Sequence, residues 1–257
     1  MTSSPLRKGL DALSGKTVIV TGGGRGLGQA IAAGFAAEGC NVAIVGRNSA
    51  TLEKAASAMP GNVRGFTADV ASEIEIEAMC AAVTDAFGTI DVLVNNAGIN
   101  PFYKRPEETT LAEWQQIIDV NLTGVFLACK HAGRVMLAKG SGAIINVSSV
   151  AGHVGLARTT AYCAAKAGVE LITRQLAMDW APRGLRVNSV GPGYFSTELT
   201  AGLRANERLS DHVTARTPLG RFGAPDELVG ACLFLASDAA SYVTGHSLMV
   251  DGGWTAC

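Results

Sequence analysis

Tyr162 and Lys166 stand four residues apart in TAYCAAKAGVELITRQLAMDW, a stretch of helical composition. Four residues is about one helical turn, so the two side chains share a face. A phenol ionises near pH ~10 and is a poor base at neutrality. A neighbouring ammonium favours the phenolate, as would the positive ring of an oxidised nicotinamide, and the pair then makes a usable general acid and base. Upstream, INVSSVAG reads as a strand, Ile144 to Val147, that delivers Ser148 and Ser149 to its carboxyl end. Ligands of open α/β sheets bind at such ends. A serine there can hold a substrate oxygen and steady charge as a C–O bond changes order. Taken singly, each feature has a plain structural reading, as an incidental pair on a solvated helix or as a turn serine.

The segment TGGGRGLG, Thr21 to Gly28, follows a strand and opens a helix. Glycines let the backbone turn sharply and approach a pyrophosphate, while the helix start offers free N–H groups and a positive dipole end. The strict G-x-G-x-x-G spacing is absent; Gly22, Gly26 and Gly28 instead give TGxxxGxG. The second strand ends in Val45-Gly46-Arg47-Asn48, with no acidic residue to take the ribose hydroxyls of NAD. Arg47 there, with Arg25 in the glycine loop, suits a 2′-phosphate, so NADP is expected ahead of NAD.

These groups need a frame. Short β-branched runs begin at Thr17, Asn41, Val63, Asp91, Ala143, Leu185 and Ser247, separated by longer helical stretches, one of them spanning 111–138. Nearly all-apolar strands alternating with helices imply an α/β, doubly wound, seven-stranded parallel sheet covered on both faces. With 257 residues, 48% hydrophobic, and no repeat or linker, a single domain over 1–257 is expected. The net charge of -1 gives no basic excess for nucleic acid or an anionic membrane. Six cysteines lack ligand spacing and suit a reducing compartment. The start, MTSSPLRKGLDALSGK, lacks the apolar core of a signal peptide, so a cytoplasmic protein is expected.

The ordered set TGGGRGLG, Asp69-Val70, NNAG (Asn95 to Gly98), Asn121, Ser149, YCAAK and PGYFST resembles the short-chain dehydrogenase/reductase family over essentially the whole chain. The resemblance implies a Rossmann-type fold and hydride transfer between a nicotinamide dinucleotide and a carbonyl or secondary alcohol. It selects Ser149 over Ser148, because the family's serine lies thirteen residues before its tyrosine. It implies Tyr162 as acid/base and Ser149 as the group orienting the substrate oxygen. Lys166 would hold the ribose hydroxyls and lower the phenol, while Asn121 would serve a proton relay. Cofactor contacts are implied at Gly22, Arg25, Gly26, Leu27, Gly28, Arg47, Asp69, Val70, Asn95, Ala97, Gly98, Tyr162, Lys166, Pro192, Gly193 and Thr197, with no metal. Asn121 has a second reading as the brace of a helix kink, and NNAG as support for the central strand.

Substrate choice should lie in the loop after Asn100, in 152–160 and in a lid over 194–217. The PGYFST and DGGW stretches are similar to those of polyol and sugar-acid dehydrogenases of the gluconate 5-dehydrogenase type. The alternatives are a 3-oxoacyl-carrier-protein reductase or a broad ketone reductase; more remotely, a dinucleotide-binding regulator would need the glycine loop without the catalytic cluster. Family resemblance also implies a homotetramer built by pairing the helices within 111–138 and 162–181.

Overall fold

The computed structural model describes residues 9–10 and 12–256. Seven strands, β1 (Thr17–Thr21), β2 (Asn41–Gly46), β3 (Asn62–Thr67), β4 (Val92–Asn95), β5 (Gly142–Val147), β6 (Leu185–Pro192) and β7 (Ser247–Val250), form one sheet in the order β3-β2-β1-β4-β5-β6-β7. Every pairing is parallel. The order reverses between β1 and β4, and the crevice at that point is where such sheets bind ligands.

Side chains alternate across the sheet, so each inner strand feeds two cores. Val18 and Val20 enter the core beneath α1 (Gly26–Ala37), whose Ile31 and Phe35 lie on one face at i, i+4. Ile19 faces the opposite core, shared with α3 (Glu73–Phe87), α5 (Gly124–Lys139) and α6 (Thr160–Trp180). The other helices are α2 (Ser49–Ser57), α4 (Leu111–Ile118), α7 (Ala201–Arg204), α8 (Glu207–Arg216) and α9 (Val229–Ala236). Local chemistry sets the ends. Thr110 and Glu113 form a reciprocal capping box that starts α4, and Gly140, at φ 75, closes α5.

The helix expected across 111–138 is two helices joined by a π-helical turn, Asp119–Thr123. Asn121 sits in that turn, fully buried, and donates from Nδ2 to the carbonyls of Ile117 and Ile99, both at 2.9 Å. Its Oδ1 accepts from Ile99 N–H at 3.0 Å. A side-chain amide inserted into the helical ladder is a recognised cause of such a bulge.

Candidate active site

The glycine loop bridges β1 and α1 at the sheet's carboxyl edge. Gly22 and Gly26 adopt positive φ (65 and 55), which L side chains rarely tolerate. A Cβ on Gly28 would fall 2.3 Å from the Gly22 carbonyl oxygen. The N-terminus of α1 has no side-chain cap and no acidic residue in its first turn. A loop that excludes side chains and leaves a helix start uncapped fits a dinucleotide pyrophosphate. Leu27 is half-buried against the core beneath α1.

The loop is tied to the NNAG turn by two residues not singled out in the sequence. Thr21 Oγ1 accepts from the N–H groups of Asn96 and Ala97, each at 3.0 Å, and Asn96 Nδ2 donates to the Thr21 carbonyl at 2.9 Å. Both lie inside quoted motifs, so proximity along the chain was the available signal. Asn95, by contrast, turns its side chain into the core and donates to Asn146 Oδ1 at 2.9 Å. It braces the central strands. Asp69 is half-buried and accepts from Ala71 N–H, while Val70 packs where Gly124 begins α5. Arg47 is exposed at the end of β2, whereas Arg25 pairs with Glu198 at 3.3 Å across the site mouth. The two arginines are thus differently engaged.

The structure brings Ser149, Tyr162, Lys166 and Asn121 to one place. Ser149 follows β5 by two residues, its Oγ accepting from Ala151 N–H at 3.1 Å, and it stands close enough to the Tyr162 phenol to favour its ionised form. Ser148 instead donates to the Lys166 carbonyl at 3.3 Å, so the two serines are differently engaged. Lys166 is buried, donates to the Val147 carbonyl at 2.8 Å and stands 5.7 Å from the Tyr162 ring centre. A Cβ on Gly98 would lie 2.7 Å from Asn121 Oδ1 and 3.7 Å from Lys166 Nζ, so the NNAG backbone closes the cluster.

Its electrostatics differ from the simple expectation. Protein groups alone push the Tyr162 phenol up to about 12, through burial, with the Ser149 hydrogen bond acting the other way. Burial also pushes Lys166 down to about 8, opposed by Glu170. Desolvation here outweighs the attraction between neighbours.

Around the phenol stand Tyr103, Cys163 and Tyr194. Asn100 is buried beside Tyr103, and its Oδ1 has no partner among the described residues. Tyr194 packs edge-on to Trp254, ring centres 4.9 Å apart, over a cluster that includes Val150 and Val213 of α8. Gly193 passes so close to β7 that a Cβ would sit 2.8 Å from Asp251 Cα, and Pro192 ends β6. Thr197 lies over the glycine loop, 3.8 Å from where a Gly26 Cβ would be. Arg158, next to the start of α6, is the non-glycine residue with positive φ (63) among those described.

A family model described as enoyl-(acyl carrier protein) reductase matches residues 22–255. D-threitol dehydrogenase of Mycolicibacterium smegmatis is 41% identical over 246 residues, 95% of this chain and 94% of that one. The 3-oxoacyl-(acyl-carrier-protein) reductase of Vibrio cholerae is 41% identical over 244 residues, 94% and 98% of the two chains. The chain belongs to the short-chain dehydrogenase/reductase family. As a member it is an NAD(P)-dependent oxidoreductase acting on CH–OH groups and their ketones. Among solved members of the family, the gluconate 5-dehydrogenase of Burkholderia cenocepacia, in complex with NADP and tartrate, superposes with TM-score 0.91 at 36% identity, covering 96% of this chain and 99% of that one.

Proposed function

We propose that this short-chain dehydrogenase/reductase interconverts a secondary alcohol and a ketone of a sugar acid or polyol with NADP, using Ser149, Tyr162, Lys166 and Asn121. The observation that carries the substrate reading is Asn100. A buried amide oxygen without a partner, beside Tyr103 and near the phenol, is costly until a donor reaches it, and a polyhydroxylated substrate supplies one. Relatives named for threitol and gluconate support the same class. NADP is supported by Arg47 standing exposed where an acidic residue would favour NAD, and by the NADP complex of the neighbour.

When bound, the nicotinamide supplies or accepts the hydride. Gly22, Gly26 and Gly28 let the backbone approach the pyrophosphate, with Leu27 beside them. Asp69 and Val70 serve the adenine, Ala97, Gly98 and the Asn95 backbone the adenosine ribose, and Pro192, Gly193 and Thr197 the nicotinamide end. Lys166 holds the ribose through its ammonium. Ser149 donates a hydrogen bond to the substrate oxygen. In reduction Tyr162 Oη gives its proton to that oxygen; in oxidation it takes the hydroxyl proton. Asn121 holds the Ile99 backbone and the π turn against this cluster, the place from which a proton relay past Lys166 would run. The lid over 194–217 seats Val213 beside Trp254 and encloses the substrate.

We read the assembly as a homotetramer. The groove between α5 and α6 is lined by Phe126, Cys129, Leu137, Leu176 and Trp180, and Met178 and Leu171 stand exposed on α6. Pairing across a two-fold axis would cover both helices. No described helix is long and apolar enough to cross a membrane, and the buried free thiols Cys40, Cys80, Cys129 and Cys232 suit the reducing cytoplasm.

The deciding experiment is turnover of gluconate, 5-ketogluconate, alditols, a short 3-oxoacyl thioester and simple ketones with NAD(H) and NADP(H). Turnover of the acids or alditols with NADP(H) is the expected result. Activity confined to the thioester would make the protein a carrier-protein reductase, the second reading favoured by the Vibrio relative, and preference for NAD would remove the role of Arg47.

A further inference from the structure

A carboxylate lies buried one helical turn beyond the catalytic lysine. Glu170 is 4% exposed and follows Lys166 at i+4 on α6. Three hydroxyl or ring groups from three other elements close on it. Ser189 of β6 donates to Oε2 at 2.9 Å, Ser247 of β7 donates to Oε1 at 3.1 Å, and His153 Nε2 stands 3.2 Å from Oε1. His153 belongs to the turn that leaves Ser149, and its side chain is 27% exposed. That turn presses on α6: a Cβ on Gly152 would meet Ser148 Oγ at 2.9 Å and the Lys166 carbonyl oxygen at 3.0 Å. The charged and titratable groups facing Glu170 are therefore Lys166 from its own helix and His153 from the turn, while β6 and β7 present hydroxyls.

Burying a carboxylate is costly unless it is well paired, and a glutamine of the same shape would fill this space without that cost. A charge kept at such a position needs a reason that packing does not supply. Its neighbour supplies one. Lys166 acts only as an ammonium, because a neutral amine neither attracts the phenolate nor binds ribose hydroxyls as strongly. Burial drives Lys166 toward its neutral form, and Glu170 is the group that opposes this.

We propose that Glu170 is a positioning residue that keeps Lys166 charged during the reaction, with Ser189, Ser247 and His153 holding its carboxylate in place behind the lysine. The inference rests on the role given to Lys166 above, and on nothing about the substrate. Without Glu170 the lysine should lose its proton at lower pH, so the defect should grow as pH rises and vanish when pH falls.

The test is the pH dependence of NADPH affinity, followed by cofactor fluorescence on the intact protein without substrate, together with kcat/KM where a substrate is in hand. Glu170→Gln is expected to move the alkaline loss of affinity downward by about one pH unit, leaving affinity at pH 6 within about twofold of wild type. Glu170→Asp, which restores the charge, should recover most of the shift. His153→Lys serves if the glutamine variant fails to fold: a cation fixed against the carboxylate at a partly exposed position should move the alkaline limb in the same direction by a smaller amount. An alkaline limb unchanged in Glu170→Gln, or in His153→Lys if only that variant folds, would overturn the proposal and leave Glu170 a packing residue. Lys166→Met is the control, since unchanged NADPH affinity in that variant would remove the parent assignment of the lysine rather than the role of Glu170.

Discussion

At the scale of single residues, the chemistry depends on a phenol and an ammonium that the fold treats unequally. Tyr162 is held protonated by burial, which suits donation to a ketone, and Lys166 at about 8 is the group that titrates first on the alkaline side. Ketone reduction should therefore be nearly level in pH through neutrality and decline as pH passes about 8, because the lysine there loses the charge it needs. Alcohol oxidation requires the phenolate and should instead rise with pH until the same loss intervenes. Initial rates in both directions across pH 6–10 check the two signs. Tyr162→Phe should cut turnover by about 10³-fold while NADPH affinity stays within a few-fold, since a positioned acid/base contributes on the order of 10²–10⁴. A variant with a full rate would refute the mechanism.

At the scale of elements, the frame was largely legible. Strand runs such as Asn41 to Val45 and Ser247 to Val250 announce themselves by β-branched residues, and the observed ends differ by a residue or two. The π turn was legible only as a kink that Asn121 would brace. Its form was not, because the amide that enters the local ladder also holds a carbonyl 22 positions away, and helical periodicity carries no trace of so remote a partner. Glu170 was hidden for the same reason, because its partners Ser189 and Ser247 arrive from two later strands. The glycine loop, by contrast, was readable because each constraint is local. Gly28→Ala should abolish dinucleotide binding, since its methyl would fall 2.3 Å from the Gly22 carbonyl oxygen and 2.4 Å from Asn96 Nδ2, which ties the loop to the NNAG turn. Equilibrium titration with NADPH is the check, and retained affinity would show that the loop yields. Asn121→Ala should cost about 1–3 kcal/mol by leaving the buried amide and carbonyls of the turn unpaired, read as a lower urea midpoint at an unchanged slope.

At the scale of the whole molecule, the exposed apolar faces of α5 and α6 ask for a partner. Phe126→Glu combined with Met178→Glu should lower the mass in light scattering from tetramer toward dimer; a monomeric wild type would dispose of the assembly altogether. The same scale shows how labour is divided along the chain. The proposed catalytic serine, tyrosine, lysine and asparagine, and nearly every proposed cofactor contact, lie before the end of β6, whereas the segment proposed to cover the site runs between β6 and α9 with its own short helices. It is anchored to the rest through Phe195 and Leu228 in the core beneath α1, through Tyr194, Val213 and Arg216 on Trp254, and through Glu198 on Arg25. That segment would share the choice of substrate with Asn100 and Tyr103, which lie on the same stretch as the catalytic groups. Grafting the corresponding segment from a relative should shift the preferred alcohol as far as Asn100 and Tyr103 allow while the pH behaviour of the reaction stays with the recipient, so new specificities can arise by recombination without rebuilding the machinery beneath.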